Sequence, residues 1–227
     1  YWLQHVDFIA ETFADLVAGW QPVNETNYYA TAGYLARGWP PGHNNAEEWL
    51  TVSQQIQLAT AEAAVRLKQT GKPVASIFGL STLELLDDSS ASQKFAARFY
   101  DANWNAGIKL FRDGILQIGT REPVLRPDLA GCFDMFGFSY YSAHGVRNGK
   151  IVAYPEAEKI SPLGYAIWPD GLALVLKRLR QELPNTPLIV AEYGVGTADD
   201  NERSKYLTAG LDIVHKAIAR GIDIRGF

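Results

Sequence analysis

Short apolar runs alternate along this chain with longer segments in which apolar residues recur every three or four positions. The longer segments predict helices, and the short runs, rich in branched and aromatic residues, predict strands. The predicted helices cover 1–18, 46–69, 93–103, 169–183 and 199–221. The predicted strands cover 20–23, 73–80, 133–141, 187–192 and 222–227. The first strand runs into Asn24, Glu25 and Thr26, and a polar, aromatic loop is expected from there to 45. We also expect an acidic, mobile loop at 81–90 and a loop of mixed polarity at 142–168.

Strand and helix alternate without a hairpin signal, which predicts a parallel α/β sheet with right-handed crossovers. Two architectures compete: an open doubly wound sheet and a (β/α)8 TIM barrel. A dinucleotide-binding sheet needs a glycine-rich turn, and Gly194-Val195-Gly196 lacks the third glycine of that motif. Glu25, Tyr141 and Glu192 each end a predicted strand. Because catalytic side chains of a barrel occupy these positions, the pattern favours the barrel.

Only five strands are visible, whereas a whole barrel takes about 250 residues or more. The sequence therefore predicts an incomplete barrel, strands four to eight, with the first three strands and the C-terminal end outside it. We treat residues 1–227 as a single, partial catalytic domain.

Composition narrows the class of protein further. The hydrophobic share of 47% and the net charge of -4 are those of a globular protein with no reason to bind nucleic acid or an anionic membrane. Cys132 is the single cysteine, and the four histidines show no metal-ligand spacing, so neither a metal nor another cofactor is expected. No signal peptide or apolar run of membrane-spanning length is visible, so a cytoplasmic protein is expected. Its oligomeric state is left open.

Glu25 and Glu192 stand at the ends of predicted strands three places apart, which would face each other across the mouth of a barrel. Retaining glycoside hydrolysis needs two such carboxyl groups about 5 to 5.5 Å apart, one as acid and one as nucleophile. From the residues alone, each glutamate could equally be an ion-paired or solvated side chain.

Several stretches, in the right order over nearly the whole chain, resemble glycoside hydrolase family 1, the retaining β-glucosidase family. They are WQPVNET, GYLARGWPPG, FGFSYY, WPDGLALVLKRL, PLIVAEYG and RSKYLTAGLDIVHKAIARGIDIRGF. The resemblance implies a barrel that hydrolyses a β-linked glycoside through a covalent glycosyl-enzyme, with a small carbohydrate as its partner.

The resemblance also implies roles for individual residues. Glu25 would be the acid/base, Glu192 the nucleophile, and Tyr141 would donate its phenol to Glu192 and hold it ionised. Asn24 would bind the sugar 2-hydroxyl, and Tyr140 and Trp168 would complete the substrate-binding set.

Three positions depart from the family pattern: Thr26 stands in place of Pro, Tyr193 in place of Asn, and Ser139 in place of Asn. Together with the family's sugar-binding residues that lie outside this sequence, they motivate the first of two open alternatives. One is a non-catalytic carbohydrate-binding or scaffold protein on the same fold. The other is a cellulase-like retaining barrel hydrolase.

Overall fold

The computed structural model describes residues 1–154 and 159–227 of the chain, which divide into two compact units. The first unit comprises Tyr1–Gly79 and Asp101–Gly137, and the second comprises Leu80–Tyr100 and Phe138–Phe227. The α-helices are α1 (Trp2–Phe13), α2 (Thr26–Tyr34), α3 (Ala46–Lys68), α4 (Ser90–Tyr100), α5 (Ala106–Asp113), α6 (Gly171–Glu182) and α7 (Asp200–Ala219). The strands are β1 (Phe78–Gly79), β2 (Leu83–Leu85), β3 (Ile115–Leu116), β4 (Val124–Leu125), β5 (Phe136–Tyr140), β6 (His144–Arg147), β7 (Lys150–Ala153), β8 (Leu188–Tyr193) and β9 (Ile224–Gly226).

The first unit is built on parallel pairing of the chain segments that the sequence marks as strands. Single parallel bridges join Trp20 to Val74 and Ala75 to Met135. Helices α1 and α2 pack against α3, and α2 also packs against β1. Beside them Phe78 stacks on Phe136, with ring centroids 5.2 Å apart. The predicted parallel order is therefore present, although regular strand geometry is confined to shorter stretches than predicted.

The long helix α3 shows why its predicted bounds, 46–69, are so close to those found. Asn45 precedes the helix and its side chain accepts hydrogen bonds from the amides of Glu47 and Glu48. Acidic residues occupy the first turn and Arg66 and Lys68 the last, which complements the helix dipole. Local signals of this kind can be seen in the sequence without any tertiary information.

The second unit contains Phe138–Tyr140, the last three residues of β5, together with β8 and β9. Leu188 of β8 pairs in parallel with Ile224 of β9. Every residue of β5 is buried. Helices α6 and α7 pack against each other. The ends of β5 and β8 carry the residues that the sequence singled out, Tyr141 and Glu192.

The expectation that the chain contains no hairpin is wrong. Strands β6 and β7 pair antiparallel through the turn Asn148-Gly149, and both turn residues have positive φ, 51° and 70°. Asn-Gly is the sequence most typical of such a two-residue turn. β6 also pairs in parallel with β2, and β2 lies inside 81–90, so the expected mobile acidic loop contains a strand. Positions 155–158 of the expected loop 142–168 lie outside the described residues.

The prediction of a polar loop after Thr26 is also wrong, because helix α2 occupies Thr26–Tyr34. Its tyrosines Tyr28 and Tyr29 are exposed, whereas its buried positions are small or polar, so no apolar stripe marks it in the sequence. Packing against α3 and β1 forms this helix instead. No helix within the described ranges is long and apolar enough to cross a membrane.

Candidate active site

Glu25 lies in the first unit at the turn that starts α2. Its backbone is left-handed, with φ 44° and ψ 55°, a conformation uncommon for a residue other than glycine, asparagine or aspartate. The Glu25 amide donates to the carbonyl of Ile77, 3.1 Å away, and its own carbonyl accepts from Tyr29. Such strained residues cluster at functional sites, where the surrounding structure holds them.

The Glu25 side chain lies over Gly79, the last residue of β1. A Cβ at Gly79 would be 3.1 Å from Oε1 of Glu25, closer than side chains normally approach. Asn27, two residues after Glu25 and nearly buried, holds the same glycine from both sides: its Nδ2 donates to the Gly79 carbonyl at 2.7 Å, and its Oδ1 accepts from the Gly79 amide at 3.0 Å. We call Glu25, Asn27 and Gly79 the acid clamp.

Sequence reasoning missed Asn27 and Gly79. The nitrogen and the oxygen of the Asn27 side-chain amide bond to the carbonyl and the amide of Gly79. This is a tertiary arrangement between residues 52 positions apart. Asn27 Nδ2 also donates to the carbonyl of Asn103 at 3.2 Å. The only available signal was the second asparagine of Asn24-Glu25-Thr26-Asn27.

The residues beside Glu25 occupy two different environments. Asn24 is exposed to solvent, so its predicted hydrogen bond to a sugar hydroxyl is sterically open. Thr26, which stands in place of the family's proline, is 1% exposed, and its Oγ1 has no hydrogen-bond partner among the described residues.

Glu192 lies in the second unit near the end of β8 and accepts a hydrogen bond from Tyr141. The Tyr141 hydroxyl is 2.5 Å from Oε2 of Glu192, as expected for a phenol donating to a carboxylate. Tyr141 immediately follows β5, so the contact joins the ends of two neighbouring strands. The contact that the sequence led us to expect is present, and the catalytic roles of both residues stay predictions.

Tyr193, which stands in place of the family's asparagine, packs away from that contact into a stack of rings. It lies nearly parallel to Tyr206, with ring centroids 4.7 Å apart, and its hydroxyl donates to the Tyr206 carbonyl. A Cβ at Gly210 would be only 2.5 Å from the Tyr193 ring. The substitution is therefore accommodated by a glycine one turn further along α7 than Tyr206.

Tyr140 has no accessible surface in the structure, and its hydroxyl donates to the Trp168 carbonyl at 2.6 Å. Burial raises its pKa well above the ordinary value, with nearby tyrosines adding to the effect. Because a ligand cannot reach this side chain, the structure corrects the predicted substrate contact to a packing position. Trp168 is partly exposed and stacks on Tyr154, with centroids 3.9 Å apart.

Ser139, the third departure from the family pattern, is 1% exposed, and its Oγ has no hydrogen-bond partner among the described residues. Its carbonyl accepts from the amide of Leu80. The serine is thus part of the strand interior rather than of an open surface.

A cavity of about 460 Å³ lies beside Tyr141 in the second unit. Its walls combine aromatic and aliphatic side chains with the glycine-rich loop after β8 and one arginine: Tyr141, Leu163, Tyr165, Tyr193, Gly194, Val195, Gly196, Arg203 and Leu207. Arg203 is held in place, since its guanidinium pairs with Asp200 and donates to the Thr197 carbonyl. The described residues contain no cluster of three or more His, Cys, Asp or Glu side chains that could hold a metal ion.

A family model described as glycosyl hydrolase family 1 matches residues 1–227. The chain belongs to this family. Among curated proteins, a beta-galactosidase of Saccharolobus solfataricus is 29% identical over 241 residues, which cover 97% of this chain and 48% of the relative. The chain thus spans about half the length of that relative.

Solved structures agree with this assignment. The beta-glycosidase of Thermosphaera aggregans superposes with a TM-score of 0.81 at 27% identity, over 99% of this chain and 49% of that one. A beta-glucosidase of Thermotoga maritima in complex with glucoimidazole gives a TM-score of 0.84 at 20% identity, over 99% of this chain and 57% of that one. The predicted family and the predicted (β/α)8 barrel class, represented here in part, are therefore confirmed.

Proposed function

We propose that this protein is a retaining β-glycosidase that hydrolyses small β-linked glycosides such as β-glucosides. Membership of glycosyl hydrolase family 1 supports the class of reaction. The observation that carries the proposal is the 2.5 Å hydrogen bond from the Tyr141 hydroxyl to Glu192, because a nucleophilic carboxylate must be held in a fixed orientation toward the sugar carbon. The proposal also treats residues 1–227 as one part of a single catalytic domain.

The reaction would take place in two displacements. In the first, an oxygen of Glu192 attacks the anomeric carbon, the glycosidic bond breaks, and the carboxylic acid of Glu25 gives its proton to the leaving oxygen. In the second, the carboxylate of Glu25 removes a proton from water, whose oxygen attacks the same carbon and releases Glu192. Two inversions leave the sugar with its original β configuration.

The chain's other residues would bind and orient the sugar. Asn24 would donate to the 2-hydroxyl, an interaction that strengthens in the transition state. Trp168 would offer part of its ring to a sugar face. The mechanism needs no metal or redox cofactor.

Removing each carboxyl group tests the proposal. Glu192→Ala and Glu25→Ala should each lower hydrolysis of an aryl β-glucoside by at least about 100-fold. Glu11→Ala, which truncates an exposed glutamate of α1, is the matched control and should keep the rate. Near-normal turnover in either of the first two variants would refute the role assigned to that residue.

Azide separates the two roles. In Glu192→Ala it should attack the substrate directly and give the α-glycosyl azide. In Glu25→Ala it should attack the glycosyl-enzyme and give the β-glycosyl azide. A first-formed α-sugar from the unmodified protein would contradict a retaining reaction.

Two further assays address the two alternatives. Sugar binding detected by calorimetry, with no turnover by the intact protein, would favour a carbohydrate-binding protein. Faster hydrolysis of β-glucan polymers than of aryl glucosides would favour a cellulase-like enzyme.

A further inference from the structure

Tyr206 lies in the second turn of α7 and is 3% exposed. Its hydroxyl donates to the backbone carbonyl of Tyr141 at 2.8 Å. Because Tyr141 is the first residue beyond β5, this hydrogen bond fixes the backbone at the point where the chain leaves the strand.

The same tyrosine also holds the end of β8. Its ring stacks on Tyr193, and its carbonyl accepts from the Tyr193 hydroxyl at 3.1 Å. Tyr193 is the neighbour of Glu192 in sequence, and Tyr141 is the residue that donates to Glu192. Tyr206 therefore contacts both the sequence neighbour of Glu192 and the residue that donates a hydrogen bond to it.

The stack has little freedom to rearrange. Gly210 faces the Tyr193 ring at a distance that leaves no room for a Cβ. On the other side, the Tyr193 ring lies nearly parallel to Tyr140, whose centroid is 6.2 Å away and whose side chain is fully buried. Close-packed rings of this kind transmit a displacement instead of absorbing it.

Burial keeps the hydroxyls of the stack in one chemical state. It raises the pKa of both Tyr206 and Tyr193 well above the ordinary tyrosine value. Both side chains therefore remain protonated donors over any pH range used for a glycosidase assay.

We infer that Tyr206 is a positioning residue for Glu192 that acts through Tyr141. The inference rests on the proposed function. Tyr206 fixes the backbone of Tyr141, Tyr141 directs its phenol at Glu192, and the carboxylate is thereby held in one orientation. Because Tyr206 is 3% exposed, it would act through these neighbours and not on the substrate itself.

Tyr206→Phe tests the inference because it removes one hydroxyl and keeps the stacked ring. It should lower kcat for aryl β-glucosides about tenfold, the factor that one ordinary hydrogen bond carries, with little change in KM. An unchanged kcat would overturn the inference, and so would a loss confined to KM.

Tyr100→Phe is the matched control. The Tyr100 hydroxyl also donates to a backbone carbonyl of the second unit, that of Leu83 at 3.0 Å, and it also accepts from the Leu83 amide at 3.2 Å. Its loss should lower the melting temperature at least as much as Tyr206→Phe does, with kcat kept. A kcat loss equal to that of Tyr206→Phe would show a general structural effect and overturn the inference.

A double-mutant cycle with Tyr141→Phe tests the route of action. If Tyr206 acts through Tyr141, Tyr206→Phe should change kcat less than twofold once the Tyr141 hydroxyl is gone. Effects that multiply would mean independent actions and would overturn the inference.

The crystal structure of Tyr206→Phe gives a readout that does not depend on turnover. The distance from Tyr141 Oη to Glu192 Oε2 should lengthen beyond hydrogen-bond range. A distance kept at 2.5 Å would overturn the inference whatever the activity. Full activity in Glu192→Ala would instead overturn the proposed function, and this distance would still decide whether Tyr206 positions Tyr141.

Discussion

The two carboxylates assigned to the reaction are held by different means in the two units. Glu25 has a left-handed backbone, its amide donates to the Ile77 carbonyl, and its side chain lies against Gly79, whose backbone is bonded by Asn27. Glu192 continues a regular strand and is held by side chains, through the phenol of Tyr141. A proton donor acts on leaving groups that differ between substrates, whereas a nucleophile always attacks the anomeric carbon from one direction.

The comparison makes distinct predictions for the two regions. A defect in the acid clamp should slow substrates with poor leaving groups most, because they depend on proton donation. A defect in the stack around Tyr206 should slow good and poor leaving groups alike, because both need the nucleophile.

The largest effect is expected for Asn27→Ala, which leaves both backbone groups of Gly79 without this partner. It should lower the free energy of unfolding by about 2 kcal/mol or more, since a buried group without its partner costs about 1 to 3 kcal/mol. Urea unfolding measures this change. The rate should fall about 100-fold for a poor leaving group such as an alkyl β-glucoside, and much less for the dinitrophenyl glucoside.

Asn44→Ala is the control for this variant, because the Asn44 amide also donates to a backbone carbonyl, that of Leu35, but at an exposed position. Equal losses with both leaving groups in Asn27→Ala would mean that the clamp does not act on the acid.

A smaller effect is expected for Gly79→Ala. The added methyl would meet Oε1 of Glu25 at 3.1 Å, so the carboxyl group must move by a few tenths of an ångström. The rate on the alkyl glucoside should fall about tenfold, with unfolding nearly unchanged. Gly38→Ala, where the nearest atom is 3.8 Å away, should keep full activity. If Gly79→Ala also keeps full activity, the close approach of Glu25 to this glycine does not affect proton donation.

The smallest effect concerns strain at Glu25 alone. Glu25→Gly should be more stable than Glu25→Ala by about 1 kcal/mol, because glycine adopts the left-handed conformation without steric cost. Thermal unfolding of the two inactive variants measures the difference. The same pair at Glu62, inside α3, should show the opposite sign, since glycine is unfavourable in a helix. If the glycine variant were the less stable one at both positions, the backbone of Glu25 would not be strained.

Periodicity and local signals were enough to find α3, α6 and α7 within about two residues of their bounds, and ordered motifs were enough to identify the family and the barrel. The same reasoning missed α2, whose buried face is made of alanine, glycine and polar residues instead of an apolar stripe. It also overlooked the Asn148-Gly149 turn, a signal that was present in the sequence.

The candidate site divides in the same way. The sequence was enough to single out Glu25, Glu192 and Tyr141 as candidates, because their place at strand ends follows from the local alternation of strand and helix. Only the tertiary structure decided that Tyr140 is buried in the core, that Asn27 clamps Gly79, and that Tyr206 holds Tyr141. The physical reason is that each of these three depends on groups between 28 and 65 positions apart, and hydrogen bonds over such separations leave no periodic trace in the chain.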